Sequence, residues 1–463
     1  MKRKRSPTLF FWGATRDPPK EFASVSEGPQ IQLILKPATS YRNSMPMPYE
    51  LLVKIFAYVI ETSDDPMRDL YHLARVCEEW RNIILGTPSL WTRIDLSQLP
   101  VTDRNLSVLS DILKKNPAIT DHIKEFSLAG VVEYKTCKSS TFIETIIKAP
   151  NLSTLTFQEV KPGPRTTALI HKTIGCCKKL KSLTVAQSRL LFTSQRWLTD
   201  YLTENGRQLE VLNIGMSLNT IPPTLIRVIA SEFCQNLRFL DISTFDALNT
   251  HSFDALQFEQ NMPSLEVLRV ANVSFKRVFS PPTIHTMTQM RELSMPIAIR
   301  DADRDDALLA TLAFGSDTMT CLDLRGSSIS ALALMQMPSY HVRELHIDDL
   351  CPPMRAHYRK FIKKWAHSLE ILSLVKINCS ETIKCCLEAL YEDKQRPKVK
   401  DLDLSGSDVT REDLTKFLKV AKMLNRINLS ACRSLPRGCK GQYSKKPTDQ
   451  SSQPLKLLFK KLK

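Results

Sequence analysis

Glycine is scarce in this chain, thirteen residues in 463, and the scarcity excludes the loops that need it. Neither a phosphate-cradling Gly-x-x-x-x-Gly-Lys nor a Gly-x-Ser-x-Gly nucleophile elbow is present. The nine histidines make no constellation. His341 and His346 stand five apart, whereas a helical metal pair stands four apart with a Glu between. Asp301, Asp303 and Asp305 imitate the start of a calcium loop. The imitation fails at its sixth place, Asp306 instead of Gly, and at its twelfth, Leu312 instead of Glu. These carboxylates suit the start of a helix over Ala307–Phe314, where the helix dipole favours negative charge. No catalytic residue, metal or cofactor is expected, and the chain reads as non-enzymatic.

Long apolar runs are missing as well. No stretch approaches eighteen uncharged apolar residues, so no membrane span is expected. Met1-Lys2-Arg3-Lys4-Arg5 is followed by polar residues rather than an apolar core, so no signal peptide is expected. The twelve cysteines include no Cys-x-x-Cys. The adjacent pairs Cys176-Cys177 and Cys385-Cys386 cannot easily bridge to themselves, and Cys177 and Cys234 each precede a leucine by three residues. Small buried thiols in a reducing compartment, cytoplasm and/or nucleus, are the reading. Acid is lacking at both ends. Residues 1–44 carry eight basic and three acidic side chains and residues 433–463 nine and one, so of the formal +16 only +3 remains for everything between.

What the chain does have is a repeat. A Leu-x-x-Leu-x-Leu pattern, with other apolar residues allowed, begins at Trp91-Ile94-Leu96 and Ile123-Phe126-Leu128 and recurs thirteen times, through Leu424-Ile427-Leu429. Steps from Ile123 onward are 23 to 30 residues. That period belongs to the leucine-rich repeat, a short strand followed by a helix. The helical halves show between signatures: Tyr358, Phe361, Ile362 and Trp365 lie at i, i+3, i+4 and i+7. Burying three ladder side chains supplies roughly 5–9 kcal/mol, whereas ordering one unit of this length costs on the order of 40. The units must therefore stack. The expected fold is α/β, a solenoid with parallel strands on the concave face and helices on the convex face.

In such a solenoid the ladder leucines point inward and the residues between them line the inner curve. The central row reads Thr156, Thr184, Asn213, Asp241, Arg269, Ser294, Asp323, His346, Ser373, Asp403 and Asn428. Phe239, Glu292, Arg325, Glu344, Asp348, Asp349, Lys376, Asp401 and Arg426 stand beside it. A row that varies while the ladder stays constant suits recognition. The candidate substrate-binding residues are Phe239, Asp241, Arg269, Glu292, Asp323, Arg325, Glu344, His346, Asp348 and Asp403. The later half leans acidic, so a partner presenting Lys or Arg would be steered there.

Ahead of the repeats, Met47–Trp91 carries two apolar runs at helical spacing. One is Leu51, Leu52, Ile55, Phe56 and Val59 behind Pro48. The other is Leu70, Leu73, Ala74, Val76, Cys77, Trp80, Ile83 and Ile84, closed by Pro88, Leu90 and Trp91. About 45 residues with this much apolar surface sit near the limit of unaided folding, so partner surface is expected. Pro48 with Glu50-Leu51-Leu52, Ile55-Phe56, Val76-Cys77-x-x-Trp80 and Ser89-Leu90-Trp91 resemble an F-box. Two departures are Met47, where Leu is usual, and the long acidic link from Ile60 to Asp69.

An F-box joined to leucine-rich repeats resembles the F-box/leucine-rich-repeat family, with cysteines before the strands as in its cysteine-containing subtype. The resemblance implies a substrate receptor of a Skp–cullin–F-box ubiquitin ligase. Pro48, Leu51, Leu52, Ile55, Phe56, Leu73, Val76, Cys77 and Trp80 would bind the Skp-type adaptor, and through it the cullin and RING subunits, while the repeats hold a protein substrate. The implied layout is a basic tail over 1–44, the F-box over 45–91, the solenoid over 92–437 and a basic tail over 438–463. Lys2–Arg5 suits nuclear import or plain solvated charge. Phe10-Phe11-Trp12 suits a docking peptide or, preferably, packing on the body. Residues 438–453 read as a loose linker and 455–462 as a short basic amphipathic stretch capping the solenoid. Two other functions remain open. One is a binding scaffold without a ligase role. The other, a nucleic-acid or anionic-surface adaptor using the basic ends, is disfavoured for single strands by the lack of interleaved aromatics apart from Phe459.

Overall fold

The computed structural model describes residues 47–462 apart from 98–102, 130–136, 161–163, 192–194, 246–251, 277, 280–281, 297–304, 328, 349–354, 393–396 and 448–451. The basic run Lys2–Arg5, the Phe10–Trp12 cluster and Asp301 and Asp303 lie outside these residues.

Three helices open the chain: α1 (Tyr49–Thr62), α2 (Pro66–Leu73) and α3 (Glu78–Gly86). Pro48 precedes α1 in extended conformation, and its carbonyl accepts from the amides of Leu51 and Leu52. The acidic link supplies the next start signal. Asp65 accepts from the Arg68 amide at 3.1 Å, Pro66 fills the first helical position, and Ser63 donates to Asp69 at 2.6 Å. The second apolar run makes two helices, divided at Cys77. Cys77 is fully extended, breaking the helix, and its Sγ accepts from the Trp80 amide at 3.5 Å to start α3. A 3-10 turn, Pro88–Trp91, closes the unit, and the Trp91 indole donates to the end carbonyl of Ile84 at 2.9 Å.

Behind it runs one sheet of fifteen strands. Thirteen of them, from Arg93–Asp95 to Arg426–Asn428, are parallel and in register with the thirteen signatures. Ladder residues meet ladder residues: Leu212 faces Leu240, Leu240 faces Leu268, and Leu268 faces Leu293. These leucines are inaccessible to solvent and join the front helices in one continuous core. Along one edge of the sheet the charges alternate between units: Lys181 pairs with Glu210 at 2.8 Å, Arg238 with Glu266 at 2.5 Å, and Lys400 with Glu370 at 2.6 Å. Such exposed pairs contribute about 0.2–1 kcal/mol each, and they oppose a slip of the register.

Each unit must turn sharply while its strand is still bonded to its neighbour. Two residues past the last ladder position, Glu159, Gln187, Met216, Asn272, Gly326, Lys376, Gly406 and Ala431 all have φ between 50° and 73°. The left-handed turn bends the chain toward the convex side while the residue still donates across the stack, as Gln187 does to Gly215 O at 2.8 Å and Gly406 to Ser430 O at 2.8 Å. Only two of these eight positions hold glycine, so six carry the Cβ penalty of that conformation. One residue further on, the buried Ser188 and Ser407 hydroxyls donate to Val160 O and Leu374 O of the preceding unit at 2.9 and 2.6 Å. The Cys432 thiol occupies the same place, donating to Leu404 O at 3.1 Å.

The unit between Val270 and Met290 has no helix among its described residues. A short parallel pair, Ser252–Phe253 with Ser274–Phe275, stands there, and the buried Glu259 carboxylate accepts from the amides of Thr286 and Met287. The C-terminus differs from the expected linker and tail. Gln442–Ser444 pairs antiparallel with the last repeat strand and Ser452–Pro454 adds to it, burying Tyr443. Helix Leu455–Leu462 turns Leu455, Leu458 and Leu462 inward, and Arg411 donates to Leu462 O at 2.9 Å. A parallel stack exposes an unpaired edge and an open core at its end, and this segment covers both.

Gln187→Gly and Ala431→Gly should each raise unfolding free energy by about 0.5–1 kcal/mol in urea titration, whereas Gly406→Ala should lower it by about 1 kcal/mol.

Candidate partner-binding surfaces

Helix α1 has more apolar surface than its own chain covers. Leu52, Phe56 and Ile60 are buried, with the Phe56 and Trp80 rings edge to face at 4.9 Å. On the adjacent outward stripe, Leu51 is 48% exposed, Ile55 45% and Tyr58 69%. Spacing of i, i+4 and i+7 places them in one row, and Met47 and Pro48 lie one turn before Leu51, both exposed. Val76, between α2 and α3, is also half-exposed.

The nine adaptor-binding candidates therefore separate. Pro48, Leu51, Ile55 and Val76 are open to a partner. Leu52 and Phe56 are not: they face the chain's own core, because one broad apolar stripe on a helix spans two directions. Leu73 and Trp80 are half-buried and packed on the same core. Cys77 is half-buried and caps α3. These five hold the open residues in place. Met47 and Tyr58 extend the outward row and were legible from the same helical period.

The concave face also departs from expectation, because its central row is largely occupied. Asp95, Asn213, Asp241, Asp323, Asp403 and Asn428 each accept a hydrogen bond from the amide two residues on, at 2.8 to 3.3 Å. They are turn-forming Asx residues that end their strands. The Asp241 carboxylate lies 2.6 Å from where a Cβ on Gly215 would stand, so any larger residue there would have to displace it. Ser294, Asp323, His346 and Ser373 are buried. Arg325 lies over Asp323 with two bonds at 2.9 and 2.8 Å, so Asp323 and His346 form the floor rather than the contact surface. Asp403 is half-buried, accepting from Asn428 Nδ2 at 3.1 Å. Phe239, Arg269, Glu292, Glu344 and Arg325 remain half-exposed. The Arg269 guanidinium stacks on the Phe239 ring at 5.4 Å and pairs with Glu292 at 2.6 Å. The side chain of Asp348 and all of Asp349 lie outside the described residues.

Residues 47–97 match the F-box-like family model. The chain carries an F-box-like domain there. Its match extends past Trp91 into the first strand, consistent with the shared core. No curated protein matches the chain. Similar solved structures include an internalin from Listeria monocytogenes, at 14% identity and a TM-score of 0.40, covering 72% of this chain and 90% of that one. A chain of the yeast Rad7–Elc1 complex matches at 13% identity and a TM-score of 0.41, covering 85% and 89%. The solenoid behind the F-box-like domain has parallel strands and convex helices, and no helix among the described residues is long and apolar enough to cross a membrane.

Burial pushes the His346 imidazole down to about 4, with Asp323 and Asp403 opposing that shift and Arg325 adding to it. The folded chain thus holds His346 neutral while the unfolded chain protonates it near 6.5. Stability should be full above that value and fall as pH drops toward 4. The loss between pH 7 and pH 5 should be about 2 kcal/mol, measured by urea unfolding, and His346→Asn should remove that part of the slope.

Proposed function

We propose that this chain is the substrate receptor of a Skp–cullin–F-box type ubiquitin ligase, itself non-catalytic. The F-box-like domain binds a Skp-type adaptor, which connects it to cullin and RING subunits, and the solenoid holds a protein substrate. The observation that carries the reading is the outward row Leu51–Ile55–Tyr58 with Met47 and Pro48, an apolar face that no part of the described chain covers. Exposed apolar surface concentrated on one face marks an interaction site. Of the fifteen exposed large apolar side chains in the described chain, six fall between Met47 and Val76. The physical role of the solenoid is tethering: it keeps a captured protein at a fixed place relative to the conjugating machinery, raising effective concentration. The ten described cysteines are free thiols, which suits work in the cytoplasm or nucleus.

One observation favours a second reading, an adaptor for anionic surfaces. Arg433, Arg437, Lys440, Lys445, Lys446, Lys456, Lys460 and Lys461 have no acidic side chain within ion-pair distance among the described residues. Phosphate contacts by that end would make binding fall steeply with salt.

The double variant Leu51→Asp/Ile55→Asp should lose co-purification of a Skp-type adaptor by more than about 100-fold while unfolding at the same temperature within a few degrees, since both side chains face solvent. Phe56→Asp should instead unfold the helical unit. An adaptor still captured by the folded double variant would end the ligase reading.

A further inference from the structure

One row of side chains crosses the concave face in continuous register. It runs Val211, Phe239, Val267, Glu292, Cys321, Glu344, Ile371, Asp401, with one residue from each successive parallel strand. Because the central Asx row is taken up by turns or buried, this neighbouring row, apart from the buried Cys321, carries the accessible chemistry of the inner curve. Its first part is apolar: Val211, Phe239 and Val267 are all half-exposed and adjacent. Its second part is acidic, and there the three carboxylates are not equivalent. Glu292 is neutralised by Arg269 at 2.6 Å and Asp401 by Arg426 at 2.5 Å. Glu344 lies between them with no cation in ion-pair distance among the described residues. The Cys321 thiol donates to its carboxylate at 3.8 Å. Burial, together with the like charges of Glu292, Glu370 and Asp401, holds its carboxyl above the usual range. A half-buried carboxylate among like charges, left without the arginine that each neighbour has, is a place where an incoming cation is favoured.

We propose that this row is the docking surface for a protein segment that seats an apolar side chain on Val211–Phe239–Val267 and a Lys or Arg on Glu344. This rests on the substrate-receptor reading and names its substrate class. Neighbouring strands lie roughly 4.8 Å apart, so Val267 and Glu344, three strands apart, are separated by roughly 15 Å. An extended segment spans that distance in about four or five residues, and a helical one in about ten. Arg269, stacked on Phe239 and bonded to Glu292, separates the two subsites and disfavours a second cation between them.

A random-peptide display library selected on the intact chain tests this directly. Enriched peptides should combine Leu, Ile or Phe with Lys or Arg at the stated spacing. A peptide resynthesised from the selection should bind about tenfold more weakly to Glu344→Gln and to Phe239→Thr. Its affinity should fall as salt rises. Glu344→Gln should melt no lower than the parent chain, because it removes a like charge and breaks no ion pair. The Leu51→Asp/Ile55→Asp variant should bind the peptide undiminished, so failure of the adaptor interaction and failure of this surface are separately visible. Absence of enrichment, enrichment of acidic peptides, or equal binding by folded Glu344→Gln would overturn the proposal.

Discussion

Strands of three to five residues do not persist alone, and in this chain each repeat strand is held by the backbone of its neighbours, on both sides everywhere except at the first strand. The backbone ladder, continued past eight of the thirteen repeat strands by a left-handed turn, is the constraint from which the other features follow. It aligns the leucines into one core and sets the phase of the charge-alternating edge. It also leaves two open ends. At the C-terminal end an antiparallel strand and an eight-residue helix close the core. At the N-terminal end three helices and the Trp91 turn do so.

The front closure is where structure turns toward function. One face of α1, Leu52-Phe56-Ile60, is consumed by the chain's own core, and the next face, Leu51-Ile55-Tyr58, is equally apolar yet meets solvent. A helix that served only as an end cap would be polar on that second face. The excess of apolar surface is the physical basis for expecting a permanent partner, and the F-box-like match over 47–97 is what suggests its kind.

The parallel solenoid was legible because its signal is a period, repeated thirteen times, and a period survives local substitutions. Site residues were less legible. An apolar stripe at helical spacing does not say which of its members face inward, so Leu52 and Phe56 were grouped with Leu51 and Ile55. On the concave side, variability at the central row looked like freedom. Asn213, Asp241, Asp403 and Asn428 are instead held by their own backbone, and Ser294, Asp323, His346 and Ser373 are covered by neighbours across the inner curve. The Asx pattern itself was available in the sequence: Asp or Asn followed two residues later by Ser, Gly or Arg recurs at that position. Residues 438–453 read as a loose linker because a three-residue strand carries almost no periodic signal, whereas the amphipathic spacing of 455–462 already pointed to a cap.

If the uncovered face of α1 is a permanent binding surface, a bound partner must shield it. Hydrogen–deuterium exchange of the intact chain, with and without a purified Skp-type adaptor, tests it most directly. Exchange should slow over Met47–Thr62 and the α2–α3 connection around Val76, with the concave strands unchanged. Protection confined to the repeats, or no protection at all, would contradict it.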